Sequence, residues 1–259
     1  MFRTKKSLGQ HFLTDLTIAE SIANALLLPE DSGLKVLEVG PGQGMLTQFL
    51  IKRENIDLTL IELDRRLPDY LREHFGELGD RVIEEDILKF DFDEWTDQKV
   101  ALIGNYPYNI SSQILFKVIE NRHKVDQMVG MFQKEVAQRI ASKEGTKAYG
   151  VLSVLTQVFY KVSYLFEVPP TAFVPPPKVD SAVIRLERIH DYDDILDYAL
   201  LRKIVKTAFN QRRKKMSNAI KSLDLPLSEL SEEVLNQRPD KLSVVEYIEL
   251  MKWAKTKEA

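Results

Sequence analysis

The sequence contains no cysteine. That excludes disulfides, zinc–thiolate centres, iron–sulfur clusters and every mechanism built on a cysteine nucleophile, including thiolate attack on pyrimidine carbons. No apolar run approaches the roughly 20 residues that cross a bilayer as a helix, so no membrane span is expected. The opening residues, Met1-Phe-Arg-Thr-Lys-Lys-Ser7, are basic but have no apolar stretch behind them. A secretory signal is therefore not expected, and a cytoplasmic location is. Internal repeats and low-complexity tracts are also missing. The four histidines, His11, His74, His123 and His190, are scattered rather than clustered, so no metal site is expected.

What is present is an ordinary globular composition. Of 259 residues, 44% are hydrophobic and 29% charged, enough for one large domain or a medium domain with a small one. The net charge is -3, which by itself gives no sign of a polyanionic partner. The distribution of charge does. Arg202, Lys203, Lys206, Arg212, Arg213, Lys214 and Lys215 fall in one stretch without a single Asp or Glu, and Arg3, Lys5 and Lys6 add cations near the start. A charge run is often only a solvated helix face. A locally basic face on an acidic protein also fits a specific polyanion contact, with Arg212, Arg213, Lys214 and Lys215 as the candidate residues.

Two periodicities alternate along the first half. Helical spacing over Ile18–Leu26, Met45–Ile51, Leu67–Phe75 and Ile110–Ile119 is interleaved with short apolar strands at 35–39, 58–62, 81–84, 100–104 and 125–132. Alternation of this kind implies a parallel sheet covered on both faces. A helix over 151–159 and two alternating strands, 162–168 and 182–186, follow. The link between these strands holds five of the eleven prolines. The pair should close the sheet as an antiparallel hairpin. Beyond residue 191 only helices are expected, at 195–209, 216–223, 232–236 and 244–255, with Ser243 and Glu246 as a capping box for the last. The expected division is 1–190 for an α/β, Rossmann-like domain and 191–259 for a small all-helical domain.

The first strand runs into Glu38-Val-Gly-Pro-Gly-Gln-Gly44 and a helix. Position 6 of this loop is Met45, so the nicotinamide fingerprint fails, and no lysine is present to make a triphosphate loop. Gly40 and Gly42 still allow the backbone to approach a ligand closely. Glu62 closes the second strand, where a carboxylate can accept from both ribose hydroxyls. Asp86 follows the third, where it can accept from an adenine amine. Asn105 closes the fourth. Ligands of open parallel sheets sit at these carboxyl ends. A nucleoside without phosphates fits best, and S-adenosylmethionine is the common one.

Asn105-Tyr-Pro-Tyr108 sits between an apolar strand and a helix. In isolation it reads equally well as a turn. It also fits methylation of the exocyclic amine of adenine, a poor nucleophile because its lone pair is delocalised into the ring. The Asn105 side-chain oxygen and the Pro107 carbonyl can accept from the amine hydrogens and favour the pyramidal form that attacks a methyl group in line. Tyr108 offers a ring on which a splayed-out base can stack.

These motifs give the chain a resemblance to the ribosomal-RNA adenine dimethyltransferases, and within them to the bacterial small-subunit group. The resemblance spans nearly the whole sequence. It is carried by Gly9-Gln-His-Phe-Leu13, Leu37–Gly44, Asn105–Ser111, Phe132–Arg139, Phe173-Val-Pro-Pro-Pro-Lys-Val-Asp-Ser181 and Ala208–Lys214. It implies a Rossmann-like class I methyltransferase domain with a helical C-terminal domain, and S-adenosylmethionine as methyl donor. It also implies His11 and Leu13 as cofactor neighbours, with Gly40, Glu62, Asp86 and Asn105 contacting it from the sheet. The implied reaction places two methyls on each of two adjacent adenosines in the 3′-terminal hairpin loop of small-subunit (16S) rRNA. A role in small-subunit biogenesis and a monomeric state go with it.

The sequence departs from this pattern at His11, where many relatives carry Asn, and at Tyr106, where Leu is usual. Two other readings stay open: a large-subunit methyltransferase of the macrolide-resistance type, and a noncatalytic ribosome-assembly factor that keeps the fold.

Overall fold

The computed structural model describes residues 9–28, 33–194 and 196–257. The cations Arg3, Lys5 and Lys6, and Ile195 at the expected start of a helix, lie outside the described residues.

The chain opens with a two-residue strand, β1 (Phe12–Leu13), and α1 (Leu16–Asn24). Asp15 caps α1 by accepting from the Thr17 and Ile18 N–H groups. Alternation then follows: β2 (Leu34–Val39), α2 (Thr47–Leu50), β3 (Ile56–Glu62), α3 (Pro68–His74), β4 (Val82–Glu84), α4 (Phe92–Trp95), β5 (Val100–Asn105), α5 (Ser111–Glu120) and β6 (Val125–Gln133). After α6 (Lys134–Ala141) and α7 (Val151–Gln157) come β7 (Tyr160–Val168), the short β8 (Phe173–Val174) and β9 (Ser181–Arg188). The chain ends in α8 (Tyr198–Asn210), α9 (Met216–Ala219), α10 (Glu232–Asn236) and α11 (Val244–Lys255). The Ser243–Glu246 capping box forms as the sequence indicates.

The main sheet has the order β4-β3-β2-β5-β6-β9-β7. β2 pairs in parallel with both β3 and β5, and β6 runs parallel to β5. The chain steps outward from β2 in one direction, then returns to build the other side. The carboxyl ends of β2 and β5 therefore flank a topological switch point, where open sheets of this kind bind ligands. Strand interiors such as Val36, Leu37, Leu60, Leu102 and Ile103 are fully buried, which explains why they read as continuous apolar runs. The two closing strands are neighbours, as expected, with the later one innermost: β9 lies antiparallel to β6. The proline-rich link between them carries β8, which pairs with β1 through Phe12↔Val174 and Leu13↔Phe173.

The compact units do not follow a cut at residue 190. One unit combines the described chain up to Ala137 with Ser163–Arg188; the other combines Gln138–Val162 with the described chain from Ile189 onward. The physical reason lies in α7. Its Val154 and Leu155 are fully buried, and it packs on α8 and α11. Ser153 Oγ donates to the Arg139 carbonyl, and Gln157 Nε2 donates to the carbonyls of Ile140 and Ser142. Helical spacing shows that α7 has an apolar face but not which body covers it. The core of this second unit includes Tyr149, Phe209 and Tyr247, with adjacent ring centres 6.0 Å apart.

Candidate active site

A cavity of about 310 Å³ opens at the carboxyl ends of β2, β3 and β5, within the range of small-molecule sites. Its lining includes His11, Leu13, Gly40, Gly42, Glu62, Asp86, Asn105, Pro107 and Tyr108. Nine of the thirteen predicted site residues thus meet in one place. Arg212, Arg213, Lys214 and Lys215 are not among them and belong to the other unit.

The floor is the loop after β2. Gly42 adopts φ 59, a left-handed value that L side chains rarely take, and the Phe12 ring lies 3.1 Å from where its Cβ would stand. Glu62 anchors this loop. Its Oε2 accepts from the Gly42 N–H at 3.1 Å and its Oε1 from the Asp64 N–H at 2.9 Å. Burial raises the Glu62 pKa, those two N–H groups oppose the rise, and the Asp64 charge adds to it. Asp64, itself buried, pairs with Arg66 and accepts from Gln10 Nε2 at 3.1 Å. Asp86 is half-buried and accepts from the Leu88 N–H at 3.0 Å, which fixes its carboxylate at the end of β4.

A second buried acid, Glu38, also lines the cavity. It accepts from Thr47 Oγ1 at 2.8 Å. Burial pushes its pKa up to about 8, the Thr47 hydroxyl opposes the shift, and the Glu62 charge reinforces it. Sequence reasoning missed Glu38 as a site residue. The signal was an acid inside the apolar run Val36-Leu-Glu-Val39, where a carboxylate is tolerated only for a reason.

The opposite wall is the segment 9–14. Its β1–β8 pairing and a bond from the Thr14 N–H to the Ala172 carbonyl hold it in place. His11 Nδ1 lies 2.8 Å from the Pro175 carbonyl, so Nδ1 carries the proton. The His11 carbonyl accepts from Asn105 Nδ2 at 3.0 Å. Its ring stacks on Tyr108, with centroids 5.3 Å apart and planes inclined at 29°. The His11 ring therefore lies against one face of Tyr108. The Tyr108 hydroxyl bonds Ser181 Oγ, and burial raises its pKa.

The Pro107 carbonyl accepts from the Ile110 N–H at 3.1 Å, which leaves one lone pair for a substrate. Tyr106 turns away into the sheet. It is 1% exposed, donates to the Val129 carbonyl at 3.2 Å, and packs over Gly104 and Gly130.

Arg212–Lys215 form the connection from the end of α8 to α9, a bend of the kind that suits four consecutive cations. Arg213, Lys214 and Lys215 are exposed. Lys215 Nζ donates to Asn236 Oδ1 at 2.8 Å. Arg212 is half-buried; it donates to the Thr146 carbonyl at 3.1 Å and lies 3.7 Å from the Asp240 carboxylate.

A family model described as ribosomal RNA adenine dimethylase matches residues 1–255. Proteins named ribosomal RNA small subunit methyltransferase A are close in sequence. The one from Bacteroides thetaiotaomicron is 49% identical over 255 residues, covering 96% of this chain and 93% of the relative. The one from Cytophaga hutchinsonii is 46% identical over 248 residues, covering 96% of each. Among solved structures, a dimethyladenosine transferase from Plasmodium falciparum superposes with a TM-score of 0.80 at 24% identity, over 96% of this chain and 98% of that one. The 23S rRNA methyltransferase ErmE superposes with a TM-score of 0.72 at 24% identity, over 94% of this chain and 99% of that one. These two likenesses establish the shared fold.

Proposed function

The chain belongs to the ribosomal RNA adenine dimethylase family, and from that premise we propose that it transfers methyl groups from S-adenosylmethionine to the N6 amines of two adjacent adenosines near the 3′ end of small-subunit rRNA. The small-subunit assignment follows the names of relatives 46–49% identical along nearly the full chain. A cytoplasmic site of action and a place in small-subunit biogenesis accompany that substrate.

One observation carries the chemistry: Asn105 Nδ2 is committed to the His11 carbonyl. The amide oxygen is then the atom left to accept from a substrate amine. The residues present fit the methyl donor. Glu62 and Asp86 supply fixed carboxylates suited to ribose hydroxyls and an adenine amine, the Gly40–Gly42 turn allows close backbone approach, and His11 and Leu13 border the opposite side. Glu38 adds a buried carboxyl to the cavity wall that can take part in hydrogen bonding. When bound, S-adenosylmethionine supplies an electrophilic methyl on a positively charged sulfur.

The protein's own task is to make the adenine amine nucleophilic and to aim it. Asn105 Oδ1 and the Pro107 carbonyl accept from its two hydrogens, which localises the lone pair on nitrogen. The open face of Tyr108 holds the base plane. No strong base is needed, because the amine becomes acidic only as its bond to the methyl carbon forms; its proton then leaves to water. Arg213, Lys214 and Lys215, with Arg212 at their base, are assigned to the rRNA phosphates, which position a substrate without reading its bases.

The test is transfer of labelled methyl to purified small subunits, large subunits and naked rRNA, followed by nucleoside analysis. Label as N6,N6-dimethyladenosine in the small-subunit rRNA is the expected result. Label confined to large subunits would establish the macrolide-resistance type of reaction instead, and no label on any substrate would favour a noncatalytic assembly factor.

A further inference from the structure

We infer that Ser181 is a positioning residue for methyl transfer, fixing the plane of the Tyr108 ring on which the target adenine stacks. The inference rests on the adenine-methylating reading above and extends it to a residue outside the Asn105–Tyr108 turn.

Ser181 is the first residue of β9 and is fully buried. Its own place is set without help from Tyr108. The β6–β9 ladder pairs it with Gln133. The preceding residue, Asp180, accepts at its carbonyl from the Lys134 N–H at 3.0 Å. Lys134 Nζ reaches the Asp180 carboxylate at 3.6 Å and that of Glu167 at 2.7 Å, clasping the start of β9. From this fixed point Ser181 Oγ meets the Tyr108 hydroxyl. The two residues are 73 positions apart in sequence, so the bond joins the substrate-facing turn after β5 to a strand on the far side of β6.

Tyr108 is restrained a second time. The His11 ring stacks against one of its faces, and His11 is itself held through Nδ1 to the Pro175 carbonyl. With its hydroxyl pinned and the His11 ring against one face, the ring offers a base its other face, in one orientation. The consequence falls on the rate of transfer. In-line attack needs the amine lone pair aligned with the breaking bond while the amine hydrogens point at Asn105 Oδ1 and the Pro107 carbonyl. A tyrosine free to rotate about its side-chain torsions would tilt the base away from both acceptors. A smaller fraction of bound adenines would then be placed to react. Binding of S-adenosylmethionine rests on Glu62, Asp86 and the glycine loop and should not respond.

The test is a double-mutant cycle with Ser181→Ala, Tyr108→Phe and the pair, read as single-turnover methylation of small subunits at saturating cofactor, with cofactor affinity by calorimetry. Each single change should lower the maximal rate about three- to tenfold, the range for one lost hydrogen bond. The double variant should be no slower than the worse single, and Ser181→Thr, which keeps the hydroxyl, should recover most of the loss. A parent-like rate in Ser181→Ala, additive losses in the double, or a parallel fall in cofactor affinity would overturn the assignment. Should the buried Ser181→Ala change prevent folding, Tyr108→Phe breaks the same bond from the less buried side, and a parent-like rate there would overturn it equally. A parent protein inactive on small subunits would instead refute the functional reading.

Discussion

The side-chain nitrogen of Asn105 donates to the backbone carbonyl of His11 at 3.0 Å, across 94 residues of chain. A carbonyl can only accept, so this contact decides which way the amide faces and leaves Oδ1 for a substrate. It also ties the segment 9–14 to the end of β5, so that segment orients the Asn105 amide.

Asn105→Ala should therefore lower kcat by about a hundredfold or more, the range seen when one transition-state partner is removed, with small-subunit affinity within about twofold of the parent. Asn105→Asp keeps an oxygen at Oδ1 but sets a second oxygen against the His11 carbonyl, so it should not rescue turnover. Steady-state kinetics on small subunits with filter binding separate the two terms. Near-parent turnover in either variant would remove Asn105 from the mechanism.

Glu38 gives a pH prediction whose sign is fixed by its raised pKa. Between its ordinary value of 4.5 and about 8 the folded protein keeps a proton on Glu38 that the unfolded chain has released. Stability therefore falls as pH rises through that window, by up to about 1.4 kcal/mol per pH unit from this group. Glu38→Gln mimics the protonated acid and can still accept from Thr47. The stability difference, variant minus parent, should increase from pH 5 to pH 8 in denaturant unfolding without cofactor. A difference that stays flat across the range would mean that Glu38 is ionised in the folded protein.

Tyr106 and Gly130 should prove interdependent. A Cβ on Gly130 would collide with the Tyr106 ring and crowd Phe132, so the ring occupies space that glycine leaves open. Gly130→Ala should destabilise the parent by about 1–3 kcal/mol through overpacking. In a Tyr106→Leu background the same change should cost clearly less, with a coupling energy of about 1 kcal/mol or more. Additive effects in chemical denaturation would show that the ring does not set the requirement for glycine.

How far the sequence reaches differs between fold and site. The alternation of buried strands with amphipathic helices is periodic, and the structure places each of those strands in one sheet. That Glu62, Asp86 and Asn105 line one cavity was legible, because they fall at strand ends, which can be counted along the chain. Three things were not legible. The grouping of α7 with the C-terminal helices depends on which body buries its apolar face, and periodicity carries no such information. Ser181 and Tyr108 are joined only by strand order, since β9 lies beside β6. Gln10 reaches Asp64 across 54 residues through a side-chain bond that no local pattern encodes.

The proposed rRNA contact divides the run Arg212–Lys215 into two roles, and the division can be measured. Arg212 is half-buried and ties the end of α8 to the Thr146 carbonyl and the Asp240 carboxylate. Arg213 and Lys214 project from the bend between α8 and α9 and are exposed. A phosphate contact needs a cation free to reach outward, and arginine adds forked hydrogen bonding to its charge. Arg213→Ala with Lys214→Ala should therefore weaken small-subunit binding and flatten its salt dependence by about one unit of log–log slope per lost phosphate contact, with thermal stability unchanged. Arg212→Ala should show the reverse emphasis, a lower melting temperature from the lost ties with a smaller change in salt slope. S-adenosylmethionine affinity should stay at the parent value in both, because no residue of this run lines the cavity proposed to hold it. Filter binding across a salt series, run beside thermal unfolding, decides between this division and a plain solvated surface: if Arg213→Ala with Lys214→Ala gave the parent's affinity and slope at every salt concentration, the bend would not touch rRNA.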